Sequence, residues 1–363
     1  MSENSVSRVF WKRFRHNKPA VLGGFFLLLA SLLALFAYVL APDGSSNANQ
    51  QELRLIALSP GSKVEVVVFE PQKPHSTSFW QKLYTGEAHP PAFFPVQRLR
   101  RDSDSLYFQM YRRTTDAETA WEAVPIHKQE GSYRVETRRY WLGTDVMGRD
   151  LLSRLLLGLR VSLSVGFIAV LISIAVGASL GAIAGYYRGW VDQLIGWLIN
   201  VIWSIPSLLL VIAFSLALGK GMWQVFLAVG LTMWVDVARI VRGRVLSLRE
   251  QEFVTAARAM GFSDVRIIFR HLMPNVVGPI VIMAASNFAT AILVESGLSF
   301  LGLGLQPPAA SLGMMIKEHY PYIIMDAAYL ALVPGGVILL LVLAFNLLGN
   351  GLSDAFDSKV KMM

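Results

Sequence analysis

The side chains that could carry out chemistry are few and widely spaced in this 363-residue sequence. There is no cysteine, which excludes disulfides, thiolate nucleophiles and cysteine-rich metal sites. The histidines show none of the spacings of zinc ligands, so the sequence predicts no metal site. These histidines are His16, His75, His89, His127, His271 and His319. No HExxH pattern and no nucleophile elbow appear, and Gly219 and Lys220 lack the neighbours of a phosphate-binding loop. The sequence predicts a protein that is not an enzyme and binds no cofactor.

Charged residues next to the apolar segments are the remaining candidates for chemistry, chiefly Asp236, Arg239 and Glu295. Ionisable residues inside a membrane commonly mark a transport or proton pathway. Each of these three lies at the end of an apolar segment, which favours a snorkelling or capping role. A proton-coupled carrier would need acidic residues nearer the bilayer centre, and the uncharged segments supply none.

The composition indicates an integral membrane protein. Hydrophobic residues make up 54% of the chain, charged residues make up 16%, and the mean hydropathy is +0.47. The net charge of +8 is concentrated in particular loops. That distribution points to topology in a lipid bilayer, and no nucleic-acid partner is expected.

The apolar segments predict an all-α protein with six transmembrane helices, because about 20 apolar residues cross a bilayer core. Pro206 should kink the third segment, and the short fourth segment should continue through Asp236. The segments are residues 20–41, 161–187, 193–219, 222–235, 272–294 and 327–350.

Basic residues set the expected orientation. Residues 1–19 are basic, 236–271 is rich in arginine, and 295–326 contains only Lys317 as a basic residue. The positive-inside rule therefore places both termini and the 236–271 loop in the cytoplasm. A cleavable signal peptide is the alternative for the N-terminal segment, but its apolar run exceeds the about 7–15 residues of a signal core.

Residues 44–139 differ from the rest of the chain, because they are polar and their acidic and basic residues nearly balance. They predict an external soluble insertion between transmembrane helices 1 and 2. Residues 64–69 (VEVVVF) and 106–111 (LYFQMY) have the composition of strands, so the insertion should be partly β.

The segment after this insertion has a leucine stripe with arginines beside it, which predicts an interfacial helix over residues 140–160. The alternative is that these residues begin the next spanning helix. In that next helix Gly177, Gly181 and Gly185 recur at every fourth position, which lets a neighbouring helix approach closely. The predicted organisation is 1–43, 44–139, 140–160 and a core of 161–363 with five transmembrane helices.

Residues 252–274 (EFVTAARAMGFSDVRIIFRHLMP) form a polar, basic stretch between two apolar segments. Four apolar residues at i, i+3, i+4 and i+7 predict one face of a short helix. They are Phe253, Ala256, Ala257 and Met260. Gly261 should end that helix, and Ser263 or Asp264 should begin a second one that runs toward Pro274. This elbow suits docking into a groove on another protein; the alternative is a loop that packs on its own chain.

The elbow resembles the cytoplasmic coupling motif of ATP-binding-cassette importer permeases, which reads Glu-Ala-Ala, three residues, Gly, nine residues, Ile, any residue, Leu-Pro. The matching positions are Ala256, Ala257, Gly261 and Pro274. Thr255, His271 and Met273 stand where the motif has Glu, Ile and Leu. The role of the motif's glutamate therefore cannot be carried onto Thr255.

Other segments are similar to the C-type permease subunit of the oligopeptide/dipeptide/nickel importer family. They are 141–150 (WLGTDVMGRD), 185–192 (GYYRGWVD), 205–209 (IPSLL), 298–308 (LSFLGLGLQPP) and 344–352 (AFNLLGNGL). The resemblance covers 8–43 and 140–360, whereas residues 44–139 form a longer external loop than that subfamily usually has.

The resemblance implies a six-helix subunit in the bacterial inner membrane that works with several partners. These are a second, distinct permease, two ATPase subunits that hold ATP and Mg²⁺, and an external substrate-binding protein. It also implies that the elbow is the coupling helix, with Phe253 and Met260 as apolar anchors, Ala256 and Ala257 allowing close approach, and Gly261 setting the bend. Peptides are the expected substrates.

Three alternatives to this interpretation remain open. The chain could be a secondary carrier, the same kind of importer with a substrate such as nickel, or a sensor whose function resides in residues 44–139. Within the importer interpretation we expect that insertion to offer a docking or gating surface toward the binding protein. A decoration that only shields the external mouth is the alternative for the insertion.

Overall fold

The computed structural model describes residues 3–69, 78–87, 90–101, 105–112, 121–125, 133–219 and 221–356. Most of these residues are helical, and one five-stranded sheet is present among them. The chain divides into two compact units. The first contains Met1–Ser31, Ser162–Gln306 and Gly335–Met363, and the second contains Leu32–Val161 and Pro307–Pro334. His75, His89 and His127 lie outside the described residues, as do Lys220 and residues 357–363.

Thirteen α-helices occur in the described residues. They are α1 (Glu3–His16), α2 (Lys18–Leu35), α3 (Ala37–Leu40), α4 (Phe79–Thr85), α5 (Leu151–Tyr187), α6 (Gly189–Trp203), α7 (Ser207–Leu218), α8 (Met222–Arg249), α9 (Glu252–Ala259), α10 (Asp264–Arg266), α11 (Val277–Leu301), α12 (Leu312–His319) and α13 (Tyr329–Phe356).

Five of these helices are long and apolar enough to cross a membrane: α2, α5, α8, α11 and α13. The pair α6 and α7 passes the same test together, although the two helices meet at an angle of 94°. The break falls at Pro206, which has no N–H to continue the helix. The kink expected there is therefore a turn of about a right angle. Counting the bent pair as one span gives the six expected crossings.

Helix α5 corrects the expectation of a separate interfacial helix over 140–160. It runs without a break from Leu151 to Tyr187, so the leucine stripe forms the first turns of a long spanning helix. The alternative interpretation of that stripe is therefore the right one. The prediction erred because leucines beside arginines occur both at a membrane interface and at the end of a span.

In the first unit, helices α5 and α8 pack closely along the glycine stripe. A Cβ added to Gly177 would lie 2.5 Å from the Trp234 carbonyl oxygen, and one added to Gly185 would lie 2.8 Å from that of Arg242. A Cβ at Gly181 would collide with the backbone at Ala238. Backbones this close leave no room for a larger side chain, which is the usual reason for small residues between membrane helices.

The second unit contains an antiparallel sheet with the strand order β4-β3-β2-β1-β5. The strands are β1 (Ser62–Phe69), β2 (Phe93–Arg101), β3 (Ser105–Met110), β4 (Glu122–Pro125) and β5 (Tyr133–Tyr140). The two strands expected from the sequence are therefore present as β1 and β3. The sheet follows α2 and precedes α5 in the chain, so the partly β insertion between the first two spans is confirmed.

Apolar residues cover both faces of the interior strand β1. Val64, Val66 and Val68 pack with Leu55 and Tyr140 on one face. On the other face Val67 forms a second cluster, with Val96, Phe108 and Met110. Burial on both faces anchors β1, which pairs with β5 over eight residues from Ser62 opposite Tyr140 to Phe69 opposite Tyr133.

Candidate coupling surface and buried charge clusters

The first elbow helix, α9, ends in a glycine turn. The Gly261 N–H donates to the Arg258 carbonyl oxygen at 2.9 Å, and the Phe262 N–H donates to that of Ala257 at 3.2 Å. These two bonds form a Schellman motif, which requires a left-handed residue between them. Gly261 supplies it with φ +75°. No other atom lies within 4 Å of a Cβ built there, so the backbone conformation is what favours glycine.

The second arm of the elbow changes its helical pitch along its length. It begins at Ser263 in an extended conformation and makes one α turn at Asp264–Arg266. A π-helical turn follows over Ile267–Leu272, and a 3₁₀ turn that contains Pro274 follows over Met273–Asn275. The arm therefore reaches Pro274 as the sequence predicts. Single π turns inside helices often accompany functional sites.

The apolar residues of α9 divide between two faces. Phe253 and Met260 are 40% and 64% exposed, and Ala256 is also exposed. Ala257 is 1% exposed and packs with Val254 in the core of the first unit. The expectation that Ala257 belongs to an exposed docking face is therefore wrong, because Ala257 is buried with Val254 on the side of α9 that packs on its own protein.

Two further apolar residues of the elbow are exposed. Val265 is 63% exposed and Phe269 is 69% exposed, and both belong to the second arm. The sequence analysis missed them because it considered apolar spacing only in the first arm. Their separation of four residues, with the buried Ile267 and Ile268 between them, was the signal available. The exposed apolar surface of the elbow thus includes Phe253, Met260, Val265 and Phe269.

The end of α5 braces the elbow. The Tyr186 hydroxyl donates a hydrogen bond of 2.6 Å to Asp264 Oδ1. Arg258 of α9 lies over the Tyr186 ring at 5.0 Å, and Arg249 of α8 donates to the Tyr186 carbonyl oxygen. One residue at the end of a spanning helix therefore contacts both arms of the elbow and the helix that precedes it.

The three positions that depart from the coupling motif lie in different surroundings. Thr255 is exposed, so neither threonine nor the glutamate of the motif would be buried in the core of this chain. The His271 ring stacks on Phe262 at 5.8 Å with an angle of 11° between the rings. Met273 packs against the core cluster that contains Leu272. His271 therefore serves as an aromatic packing partner just beyond the glycine turn.

Glu295 is enclosed inside the first unit. Its side chain is fully buried in α11, where Ser162 Oγ donates to Oε2 at 3.0 Å and Ser299 Oγ donates to Oε1 at 2.8 Å. A snorkelling role is thus wrong for Glu295, since hydroxyl groups take the place of water. Asp236 is exposed on α8, and Arg239 lies 3.8 Å over the Trp203 ring.

The second unit holds a buried charge cluster that the sequence analysis did not identify. Arg149 is 2% exposed at its side chain; its Nε lies 2.5 Å from Asp145 Oδ2, and a terminal nitrogen lies 2.7 Å from Glu318 Oε2. Arg154, equally buried, lies 3.6 Å from the same Glu318 oxygen. The segment 141–150 carried the family resemblance but no sign of this long-range pairing.

His319 completes the cluster. It is fully buried, its Nε2 lies 3.9 Å from Asp145 Oδ2, and burial holds its pKa below the ordinary value against the opposing carboxylates of Asp145 and Glu318. Asp145, Glu318 and His319 come close enough to share a metal ion. Arg149 already bonds both carboxylates, so the arrangement is an ion-pair network in which a guanidinium supplies the positive charge.

Comparison with known proteins decides the family. Residues 177–362 match the model of the binding-protein-dependent transport system inner membrane component, which covers more than half of the chain. The chain belongs to this family. Residues 5–60 match the N-terminal transmembrane domain of oligopeptide transport permease C, so the chain is a C-type permease of an ATP-binding-cassette importer. It is a multi-pass protein of a bacterial inner membrane.

Named relatives agree with this assignment. The permease is 43% identical over 240 residues to the dipeptide transport system permease protein DppC of Alkalihalophilus pseudofirmus, which covers 66% of this chain and 77% of the relative. It is 42% identical over 255 residues to the glutathione transport system permease protein GsiD of Pectobacterium atrosepticum, which covers 70% and 82%. An inward-facing structure of the MetNI methionine ABC transporter matches 55% of this chain and 93% of that one at 21% identity and a TM-score of 0.45.

Proposed function

We propose that this permease forms half of a translocation path for peptides, and that residues 252–274 couple the path to separate ATPase subunits. The observation that carries the proposal is the construction of the elbow. It presents Phe253, Met260 and Phe269 outward, while Tyr186 ties it to the end of a spanning helix. An exposed apolar surface on a braced element suits a groove on a partner protein.

The attachment of the elbow to the spanning helices would let it transmit movement to them. Val254 and Ala257 bury one side of α9 in the core of the first unit, so the elbow and the ends of α5 and α8 move as one body. Closure of an ATPase pair beneath the exposed surface would push that body and shift the spanning helices between inward-open and outward-open arrangements. ATP and Mg²⁺ would bind to the ATPase subunits, because this sequence has no phosphate-binding loop.

Peptides are the proposed substrates. The named relatives are permeases of a dipeptide system and of a glutathione system, and glutathione is itself a small peptide. The proposed assembly contains a second, distinct permease, two ATPase subunits and an external substrate-binding protein. Both termini and the elbow face the cytoplasm in this proposal, and residues 44–139 face outward, in line with the distribution of basic residues.

Co-purification tests the coupling proposal. The wild-type permease, expressed with its neighbouring genes, should bring down an ATPase, and Phe253→Asp should reduce the recovered ATPase severalfold, because a charge would enter an apolar contact. Ile324→Asp is the matched control, since Ile324 is an exposed apolar residue of the second unit. Recovery of the permease without any ATPase would favour a secondary carrier.

Uptake measurements test the substrate. Cells that produce the complete importer should accumulate labelled di- and tripeptides, and cells without this permease should not. Uptake of Ni²⁺ and not of peptides would support the alternative substrate and overturn the peptide proposal. Persistence of peptide uptake after deletion of residues 44–139 would count against the sensor alternative.

A further inference from the structure

The outer edge of the sheet borders a cavity of about 500 Å³ in the second unit. Strand β5 is the last strand on that side, and no strand pairs with its outer edge in the described part of the chain. Both Glu136 and Thr137, which point to opposite faces of the sheet, line the cavity. The cavity therefore extends over the sheet face that carries Phe93 and around the edge of β5, where backbone groups are available. Its volume is within the about 300–1,000 Å³ of ligand sites.

The register shows which backbone groups of β5 face the cavity. The Phe69 N–H donates to the Ala92 carbonyl oxygen on the β2 side. In an antiparallel sheet the backbone N–H and C=O groups of successive residues point to opposite neighbours, so those of Phe69 and Val67 point to β2 and those of Val68 and Val66 point to β5. Val68 and Val66 therefore bond to Arg134 and Glu136. The N–H and C=O groups of Thr137 and Arg139 consequently point outward, and both residues line the cavity.

The opposite wall limits what can enter. It is formed by the segment around Asp43 and Gly44, by Lys82 and Glu87, and by Pro90 and Pro91. A cavity of about 500 Å³ with these further lining residues holds a short extended chain but not the edge of a folded sheet, which would bring a second strand behind the first. The cavity accordingly fits a short free peptide better than an edge strand of another protein.

Charge differs between the two ends of this groove. Arg134 and Arg138 at one end share a single carboxylate, that of Glu136, at 3.4 Å and 2.7 Å. Asp43 and Asp150 lie at the other end, near Tyr140, where the Arg139 guanidinium is stacked on the Trp141 ring at 3.8 Å. Asp150 Oδ1 has no hydrogen-bond partner within the described residues. A zwitterionic peptide matches this polarity if its amino end lies toward Tyr140 and its carboxylate toward Arg134. That direction is antiparallel to β5, as in the rest of the sheet.

We propose that the groove beside β5 binds short peptides with free termini, as an added antiparallel strand that bonds to the backbone of Thr137 and Arg139. A peptide of about three to five residues spans these groups at about 3.4 Å per residue. The site is additional to the translocation path. Its test measures binding to the permease alone, so a failure here leaves the proposed transport function standing.

The test uses the full-length permease in lipid nanodiscs with trialanine as the probe, titrated calorimetrically. Thr137→Pro removes an outward N–H while leaving the pairing with β1 intact, and should weaken binding about tenfold. Val135→Pro is the matched control, because Val135 also points outward but does not line the cavity; its binding should equal that of the wild type. Equal binding by the Thr137→Pro variant, or equal loss in both variants, would overturn the proposal.

A second variant tests the charged end independently of the backbone. The wild type should prefer trialanine over its C-terminally amidated form about tenfold, and Arg134→Gln should abolish that preference, because the guanidinium excess over Glu136 is lost. The Arg134 side chain is exposed, so this change leaves the fold intact. The peptide proposal would be overturned if trialanine did not bind. If the groove were instead required to retain the substrate-binding protein, the site would be reassigned to protein docking.

Discussion

Tyr186 at the end of α5 donates a 2.6 Å hydrogen bond to Asp264, the first residue of the second arm of the elbow. Tyr186 is itself 3% exposed whereas Asp264 is exposed, so the bond lies at the edge of the core and is partly buried. Arg258 belongs to the first arm, before the glycine turn, and its guanidinium lies 5.0 Å from the centre of the same ring. Tyr186 therefore links both arms of the elbow to the end of the spanning helix, beside the apolar contacts of Val254 and Ala257.

Removing the Tyr186 hydroxyl should loosen this junction. A hydrogen bond to a charged group contributes about 1.5–3 kcal/mol, so Tyr186→Phe should keep membrane insertion but reduce the peptide transported per ATP hydrolysed. Tyr187→Phe is the control, because Tyr187 is adjacent and 48% exposed. Transport and ATPase rates of the reconstituted importer give the ratio. Identical ratios in both variants would show that the bond plays no part in coupling.

The two neighbouring alanines of α9 should respond differently to the same change. Ala256→Arg places a charge on the exposed face, and should leave stability unchanged while lowering stimulation of the ATPase. Ala257→Arg buries a charge among Val254, Ile267 and Leu272, and should destabilise the permease by several kcal/mol. Thermal unfolding in detergent distinguishes the two. Equal unfolding temperatures would contradict the division of α9 into two faces.

This division marks the limit of what local sequence could predict. The glycine turn at Gly261 follows from a short pattern, because a helix stop depends on neighbouring residues. The burial of Ala257 depends on α8 and on the second arm, and an eight-residue helix with apolar residues on two sides gives no periodicity that separates them. The charge cluster was hidden for the same reason, because Arg149 and Glu318 are 169 residues apart.

The strands of the sheet also differ in how well the sequence predicted them. Strands β1 and β3 are rich in β-branched and aromatic residues and were predicted, whereas β2 (FFPVQRLRR) and β5 (YRVETRRY) contain several arginines. Their alternation is obscured because arginine can lie along an apolar surface with its charge in water. Arg138 does so over Phe93 at 4.2 Å. Strand pairing, and with it the open edge of β5, required the folded structure.

Close packing between α5 and α8 should make Gly177 intolerant of even one methyl group. Gly177→Ala would place a Cβ 2.5 Å from the Trp234 carbonyl oxygen, and overpacking of this kind costs about 1–3 kcal/mol. Gly196→Ala is the control, since no atom lies within 4 Å of its Cβ and alanine favours a helix. The unfolding temperature of the purified Gly177→Ala variant should fall, and that of the Gly196→Ala variant should equal the wild-type value. A stable Gly177→Ala variant would contradict the close approach.

Arg149 should be essential for the stability of the second unit. Arg149→Ala leaves the buried Asp145 and the largely buried Glu318 with only the more distant cation of Arg154, at 3.9 Å and 3.6 Å, and losing one partner of a buried pair costs about 3–5 kcal/mol. Arg54→Ala breaks an exposed pair with Glu52 and should cost about 0–1 kcal/mol. Protease sensitivity of residues 44–139 in intact vesicles would report the difference. Equal sensitivity in both variants would show that the cluster contributes little.

The buried His319 should make stability depend on pH on the acid side of neutrality. Its pKa in the folded protein is lowered by burial, whereas the unfolded chain takes up the proton below about pH 6.5. The unfolded state then binds more protons than the folded state, so stability is full above about pH 6.5 and is lost as the pH falls toward the folded pKa. The slope in that window approaches about 1.4 kcal/mol per pH unit.

His319→Gln isolates this contribution, because glutamine does not titrate. Burial raises the pKa of Asp150, so that carboxyl binds its proton more readily in the folded protein and gives a slope of opposite sign at lower pH. Asp145, Glu318 and Arg149 are the charged groups that act on His319, and they are the same in both proteins. The wild type should therefore lose more stability than the variant between pH 7.5 and 5.5, measured by thermal unfolding. Parallel curves would mean that His319 keeps its ordinary pKa in the folded protein.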